Sequence, residues 1–207
     1  MQPYRTYVYI DGFNLYYRAV RGTPYKWLDF KAMVSHLLGS QNDIRAIKYF
    51  TAIVSGRLDP HQPIRQETYI RALKAYIPEI SIYYGNFLSH EVNAPVANSN
   101  PLRFTRIIKT EEKGSDVNLA VHLLNDAWLD HYDCAVVISN DSDLAEALKI
   151  VTQQLGKQIG IISPVNRPSK ELIQYATFIK RIRKGVLSVS QLPDPIPNTH
   201  IHKPSTW

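Results

Sequence analysis

Four aspartates stand where an oxygen-rich site can form. Asp11 closes the apolar run Thr6-Tyr7-Val8-Tyr9-Ile10, and Asp141 and Asp143 follow a second run, Cys134-Ala-Val-Val-Ile-Ser139. Asp116 comes directly after Lys113-Gly114-Ser115, in the first turn of a strong helical pattern. Carboxylates crowded together repel one another unless cations neutralise them. Mg²⁺ and Mn²⁺ suit the task, because hard cations take oxygen ligands and keep waters for substrate phosphates. The plainer reading is local: an Asp after a strand caps the next helix, and an Asp in a first turn complements its dipole. What favours a shared site is that all four fall at junctions expected along one edge of a sheet.

The elements that must position them alternate. Residues 6–10 form a β-rich run ending at Asp11-Gly12, residues 13–20 open a short helix, and residues 28–38 have helical spacing stopped by Gly39. Residues 44–54 are the second strand, 63–77 the next helix and 80–88 the third strand. Residues 93–101, rich in Asn and Pro, read as a loop, with 102–109 returning as a hairpin partner. Residues 115–129 are the clearest helix, with Val117, Ala120, Val121 and Leu124 on an apolar stripe. The run 134–139 reads as a strand buried on both faces, 142–155 as a helix stopped by Gly156, and 159–163 as another buried strand. Such alternation predicts an α/β fold of right-handed βαβ units around a mainly parallel sheet. In open parallel sheets, sites form at the carboxyl ends of the strands. Residues 1–191 read as one domain and 192–207 as a Pro-rich tail, extended or poorly ordered.

Composition narrows the classes. The chain has 207 residues, 44% hydrophobic and 20% charged, which suits a globular domain able to bury a core. A formal net charge of +6 favours polyanionic partners such as nucleic acid without naming one. The single Cys134 excludes a disulfide framework and fits a reducing cytoplasm. No apolar run approaches a membrane span, and the N-terminal residues lack a signal-peptide pattern.

The strings Tyr9-Ile10-Asp11-Gly12-Phe13-Asn14-Leu15-Tyr16, Lys113-Gly114-Ser115-Asp116 and Ser139-Asn140-Asp141-Ser142-Asp143 resemble the three signatures of the NYN domain family across residues 7–163. The resemblance implies a PIN-like nuclease fold, a single-domain Rossmann-like α/β/α sandwich. It further implies that Asp11, Asn14, Asp116, Asp141 and Asp143 line a divalent-metal site that activates water against a phosphodiester. Asp11, Asp116, Asp141 and Asp143 would be the ligands, Asn14 would orient a ligand or water, and Lys113 would reach a phosphate of RNA. The chain departs from the family where His122 replaces a frequent Asp, Asn140 a frequent Gly or Ser, and Leu144 a frequent aromatic residue.

The longer string from Glu112 to Asn125, with the overall length, also resembles proteins called 6-hydroxy-3-succinoylpyridine monooxygenase. Those are described as NADH-dependent hydroxylases in nicotine breakdown, which would imply a small pyridine substrate, 2,5-dihydroxypyridine as product, and NADH, with or without flavin, as cofactor. The residues carry no Gly-x-Gly-x-x-Gly fingerprint for a dinucleotide; Gly156 and Gly160 have the wrong spacing.

Elsewhere, Lys180, Arg181, Arg183 and Lys184 form the densest basic run, suited to a phosphate backbone or simply to a solvated face. His131-Tyr132-Asp133 precedes a strand, at the edge opposite the acids, and reads as a turn in preference to an iron site. Three classes follow: a metal-dependent phosphodiesterase, a pyridine monooxygenase, or a nucleic-acid-binding module with a degenerate site.

Overall fold

Two adjacent strands rich in apolar residues form the centre of the molecule. The structure, a computed structural model, describes residues 2–57 and 59–207. Strand β1 (Tyr4–Asp11) lies parallel to β6 (Cys134–Ile138), with Ile10 opposite Ile138, and every residue of β6 is buried. Flanking them are β2 (Asn42–Thr51), β3 (Ile80–Tyr84), β7 (Gln158–Ser163) and β8 (Phe178–Arg181), in the order β3-β2-β1-β6-β7-β8. All neighbouring pairs in this sheet are parallel. The chain therefore winds outward one way from β1 and the other way from β6, which makes the β1/β6 gap the topological switch point.

Helices cover both faces because alternate residues of each strand point to opposite sides. Val8, Ile10, Val136 and Ile138 pack in one layer with α2 (Phe30–Leu37) and α3 (His61–Tyr76). Tyr9, Ala135, Val137 and Phe50 pack in the other with α4 (Ser115–Trp128) and α5 (Ala145–Lys149). Short α1 (Gly12–Leu15) runs on as a π turn, Tyr16–Val20, while α6 (Lys170–Ile173) and α7 (Lys184–Val189) complete the set. The expected α/β/α sandwich with a parallel sheet is what the chain forms.

Two stretches differ from expectation. Residues 80–88 are not one strand: the chain breaks at Gly85, where an added Cβ would lie 2.3 Å from Glu112 Oε1 and 2.6 Å from the Lys113 carbonyl. Beyond it, β4 (Asn86–Pro95) and β5 (Phe104–Lys113) pair antiparallel as a separate two-stranded arm, so residues 93–95, expected in a loop, belong to a strand. The tail also packs down. Leu192 and Ile196 are buried, Trp27 Nε1 donates to the Pro193 carbonyl at 3.1 Å, and the Trp207 ring lies 5.5 Å from that of Tyr69. Its apolar residues, spaced between prolines, outweigh the extended preference of the prolines themselves.

Candidate functional site

Asp11 sits at the switch point, where β1 gives way to α1. Its carboxylate is 9% exposed and doubly held: Oδ1 accepts from the Asn14 N–H at 2.9 Å, and Oδ2 from the Ser139 hydroxyl at 2.8 Å. Burial pushes the Asp11 carboxyl above its ordinary range; those two hydrogen bonds oppose the shift, and the charges of Asp141 and Asp116 add to it. Asp11 therefore caps its helix and also feels the charge of two further carboxylates.

Ser139 ties the two strand ends together, because its hydroxyl also accepts from the Asp141 N–H at 3.0 Å. Asn14 makes a second tie, its side-chain oxygen accepting from the Asn140 N–H at 3.2 Å. Asn140 in turn accepts from the Ser169 N–H at 2.7 Å, anchoring the loop before α6. Ser139 and Asn140 escaped the sequence reading as positioning residues, although both lie inside the Ser139–Asp143 string. Asp116 is half-buried on the first turn of α4, with Oδ1 accepting the Val117 N–H at 2.9 Å. Asp143 is exposed, and its N–H donates to Asp141 Oδ1 at 3.0 Å.

A divalent cation fits the chemistry of this donor set. The charges of Asp141 and Asp116 disfavour an ionised Asp11, and Mg²⁺ needs only one or two carboxylates beside water and substrate phosphate. The four-carboxylate shell expected from the sequence is not closed, however. Among the described residues no three His, Cys, Asp or Glu side chains group tightly enough to enclose an ion. A cation here would rest on one or two carboxylates, with water making up the rest of its shell.

Comparison with known proteins follows the same outline. The NYN domain model matches residues 5–186. The chain belongs to the NYN domain family. Its sequence is 34% identical over 237 residues to 6-hydroxy-3-succinoylpyridine 3-monooxygenase HspA of Pseudomonas putida, covering all of this chain and 76% of that protein. A solved structure of a protein of unknown function from Vibrio parahaemolyticus shares the fold, with a TM-score of 0.58 at 16% identity, over 88% of this chain and 95% of the other. The NYN family is nuclease-like and acts on nucleic acid, whereas the named relative is a monooxygenase.

In this NYN domain the basic residues do not join the acids. Lys180 and Arg181 lie on β8, with Arg183 and Lys184 just beyond; all four are exposed, at the sheet edge three strands from β1. At the usual strand spacing that is about 14 Å away. Lys113 is near Asp116 in sequence and exposed, pairing with Glu111 at 3.4 Å.

The family's frequent acid is replaced by His122, whose ring lies 4.0 Å from that of Tyr83; burial first, then nearby Lys48, lowers its pKa. Behind it is an ion pair that sequence reading missed. Lys48 Nζ meets Asp126 at 2.5 Å, and the Tyr9 hydroxyl donates to the same carboxylate at 2.6 Å. Burial works against the Asp126 charge, but Lys48 and Tyr9 hold its pKa below the ordinary range. His131 also faces Asp126, and Asp133 is paired to Arg5, so the His131–Asp133 turn is structural.

Proposed function

We propose that this chain is a divalent-metal-dependent phosphodiesterase acting on RNA. The observation that supports it is the placement of Asp11 at the switch point of a parallel sheet, within electrostatic reach of Asp116 and Asp141. Mg²⁺ or Mn²⁺, when bound, would supply a hydroxide nucleophile and stabilise charge on the phosphate. The chain's own residues hold the geometry: Ser139 and the Asn14 N–H fix the Asp11 carboxylate, and Asp141 is tethered to the same hydroxyl. Asn14 orients a ligand or water through its amide, and Lys113 and the β8 cations draw in the backbone. Asp143 serves as an outer ligand or water acceptor. We place the activity in a reducing cytoplasm, which suits the buried free thiol of Cys134.

A second reading, NADH-dependent hydroxylation of a small pyridine, draws its support from the named relative, matched over this whole chain. One comparison separates the two. The purified protein is given single-stranded RNA with Mn²⁺, and separately 6-hydroxy-3-succinoylpyridine with NADH in EDTA. RNA cleavage without NADH consumption is expected. NADH-dependent hydroxylation with no RNA cleavage would reverse the assignment, and neither activity would leave a binding module with a degenerate site.

A further inference from the structure

Beside the acids lies a cavity that the phosphodiesterase reading does not use. It encloses about 160 Å³ between α1, β2 and α3, on the order of ten water positions, and so has room for a ring system. Phe13, Tyr16 and Tyr17 from α1 and the π turn line one side; Tyr49 and Tyr69 line another. The cavity shares a wall with the carboxylate site. Gly12, next to Asp11, is among its lining residues, and an added Cβ there would lie 2.7 Å from the Tyr49 ring. Tyr49 is also close enough to feel the Asp11 charge.

The polar groups at the cavity are few. Gln66 is spent on backbone, accepting from the Val54 N–H and donating to the Ala52 carbonyl, and Arg65 at the rim is paired to Asp59. Gln62 and Lys26, both half-buried, are not engaged in side-chain hydrogen bonds or ion pairs among the described residues. An aromatic box with a free amide, a free ammonium and the buried Trp207 Nε1–H, unpartnered among the described residues, fits a flat ring that carries hydrogen-bonding edges and an adjoining anion.

We propose that this cavity binds one unstacked nucleobase of a single-stranded nucleic acid, immediately beside the phosphodiester presented to the carboxylates. The inference rests on the phosphodiesterase reading and sharpens it: a paired, stacked base must first leave its helix to enter, so a single strand meets the site without that cost. The Tyr17 ring, stacked on Phe13 with the Arg21 guanidinium 5.3 Å from its centroid, supplies stacking surface when the base takes the place of exposed Arg21; Gln62 meets a base edge, and Lys26 meets the adjoining phosphate.

The test is calorimetric titration of the full-length chain in EDTA with uridine and adenosine 5′-monophosphates, ribose 5-phosphate and nicotinate. Nucleotides are expected to bind at least about tenfold more tightly than ribose 5-phosphate. Tyr17→Ala, at a side chain 52% exposed and so not needed for folding, should cost the nucleotides about tenfold and ribose 5-phosphate nothing. Equal affinity for nucleotide and ribose 5-phosphate, indifference to Tyr17→Ala, or nicotinate binding ahead of the nucleotides would overturn the proposal. Because no metal is present, the result is independent of cleavage. Nucleotide binding without RNA cleavage would keep the base site and fail the phosphodiesterase reading. Cleavage with a KM unmoved by Tyr17→Ala would do the reverse.

Discussion

At the scale of single residues, the structure divides charges that anchor the fold from charges that gather at the site. Asp126 and Lys48 are a buried pair, and removing one partner leaves the other uncompensated. Asp126→Ala should therefore cost about 3–5 kcal/mol in urea unfolding, near the upper end for a point substitution. Asp133 gives a pH signature. Its hydrogen bond from Arg5 holds the carboxyl down to about 2, so the folded chain releases a proton that the unfolded chain retains at mildly acid pH. The stabilisation is present above pH ~4 and is lost as pH falls toward 2. Asp133→Asn should flatten the wild-type loss of melting temperature between those pH values, as read by circular dichroism. The acids at strand ends were legible in the sequence because strand and turn signals are local. Lys48 with Asp126, and Ser139 with Asp11, were not: each contact joins residues far apart in the chain, and only the fold brings them together.

At the scale of elements, the central strands and the extent of α4 could be read from apolar runs and helical spacing, but not the face α4 buries: it packs through Leu119, Leu123 and Ala127, while Val117 and Val121 of the expected stripe are exposed. The arm was seen only in outline. Ile80–Leu88 carries one uninterrupted β-like pattern, and nothing local says that Gly85 must pass beneath Glu112. Apart from Phe87, whose ring meets Phe13 edge-on at 5.6 Å at its base, the arm stands on its own pairing: no residue of β4 or β5 is fully buried, and Leu88, Phe104, Ile107 and Ile108 are exposed. A two-stranded ribbon of this kind is only marginally stable in water. Hydrogen exchange should therefore show the paired amides of β4 and β5 exchanging well before those of β1 and β6, whose opening approaches global unfolding. Equal protection of arm and centre would contradict this and point to support for the arm that the fold does not provide.

At the scale of the whole molecule, a parallel sheet sets all six carboxyl ends along one edge, so Asp11 and Asp141 at its middle and Arg181 at its flank lie on a common side. A single strand of RNA crossing that edge would meet the acids and the basic run in turn. Replacing Lys180, Arg181, Arg183 and Lys184 with Ala should weaken RNA binding and lower the slope of log affinity against log salt by up to about 3, with kcat little changed. On the proposed function, the switch-point carboxylates cleave phosphodiesters with a divalent cation. The most direct measurement is the cleavage rate of a labelled single-stranded RNA in Mn²⁺ for the wild type and for Asp141→Asn, which keeps the side chain's size and removes its charge. A loss of about a hundredfold or more is expected in Asp141→Asn, with no wild-type cleavage in EDTA. Cleavage that survives both the substitution and EDTA would contradict it.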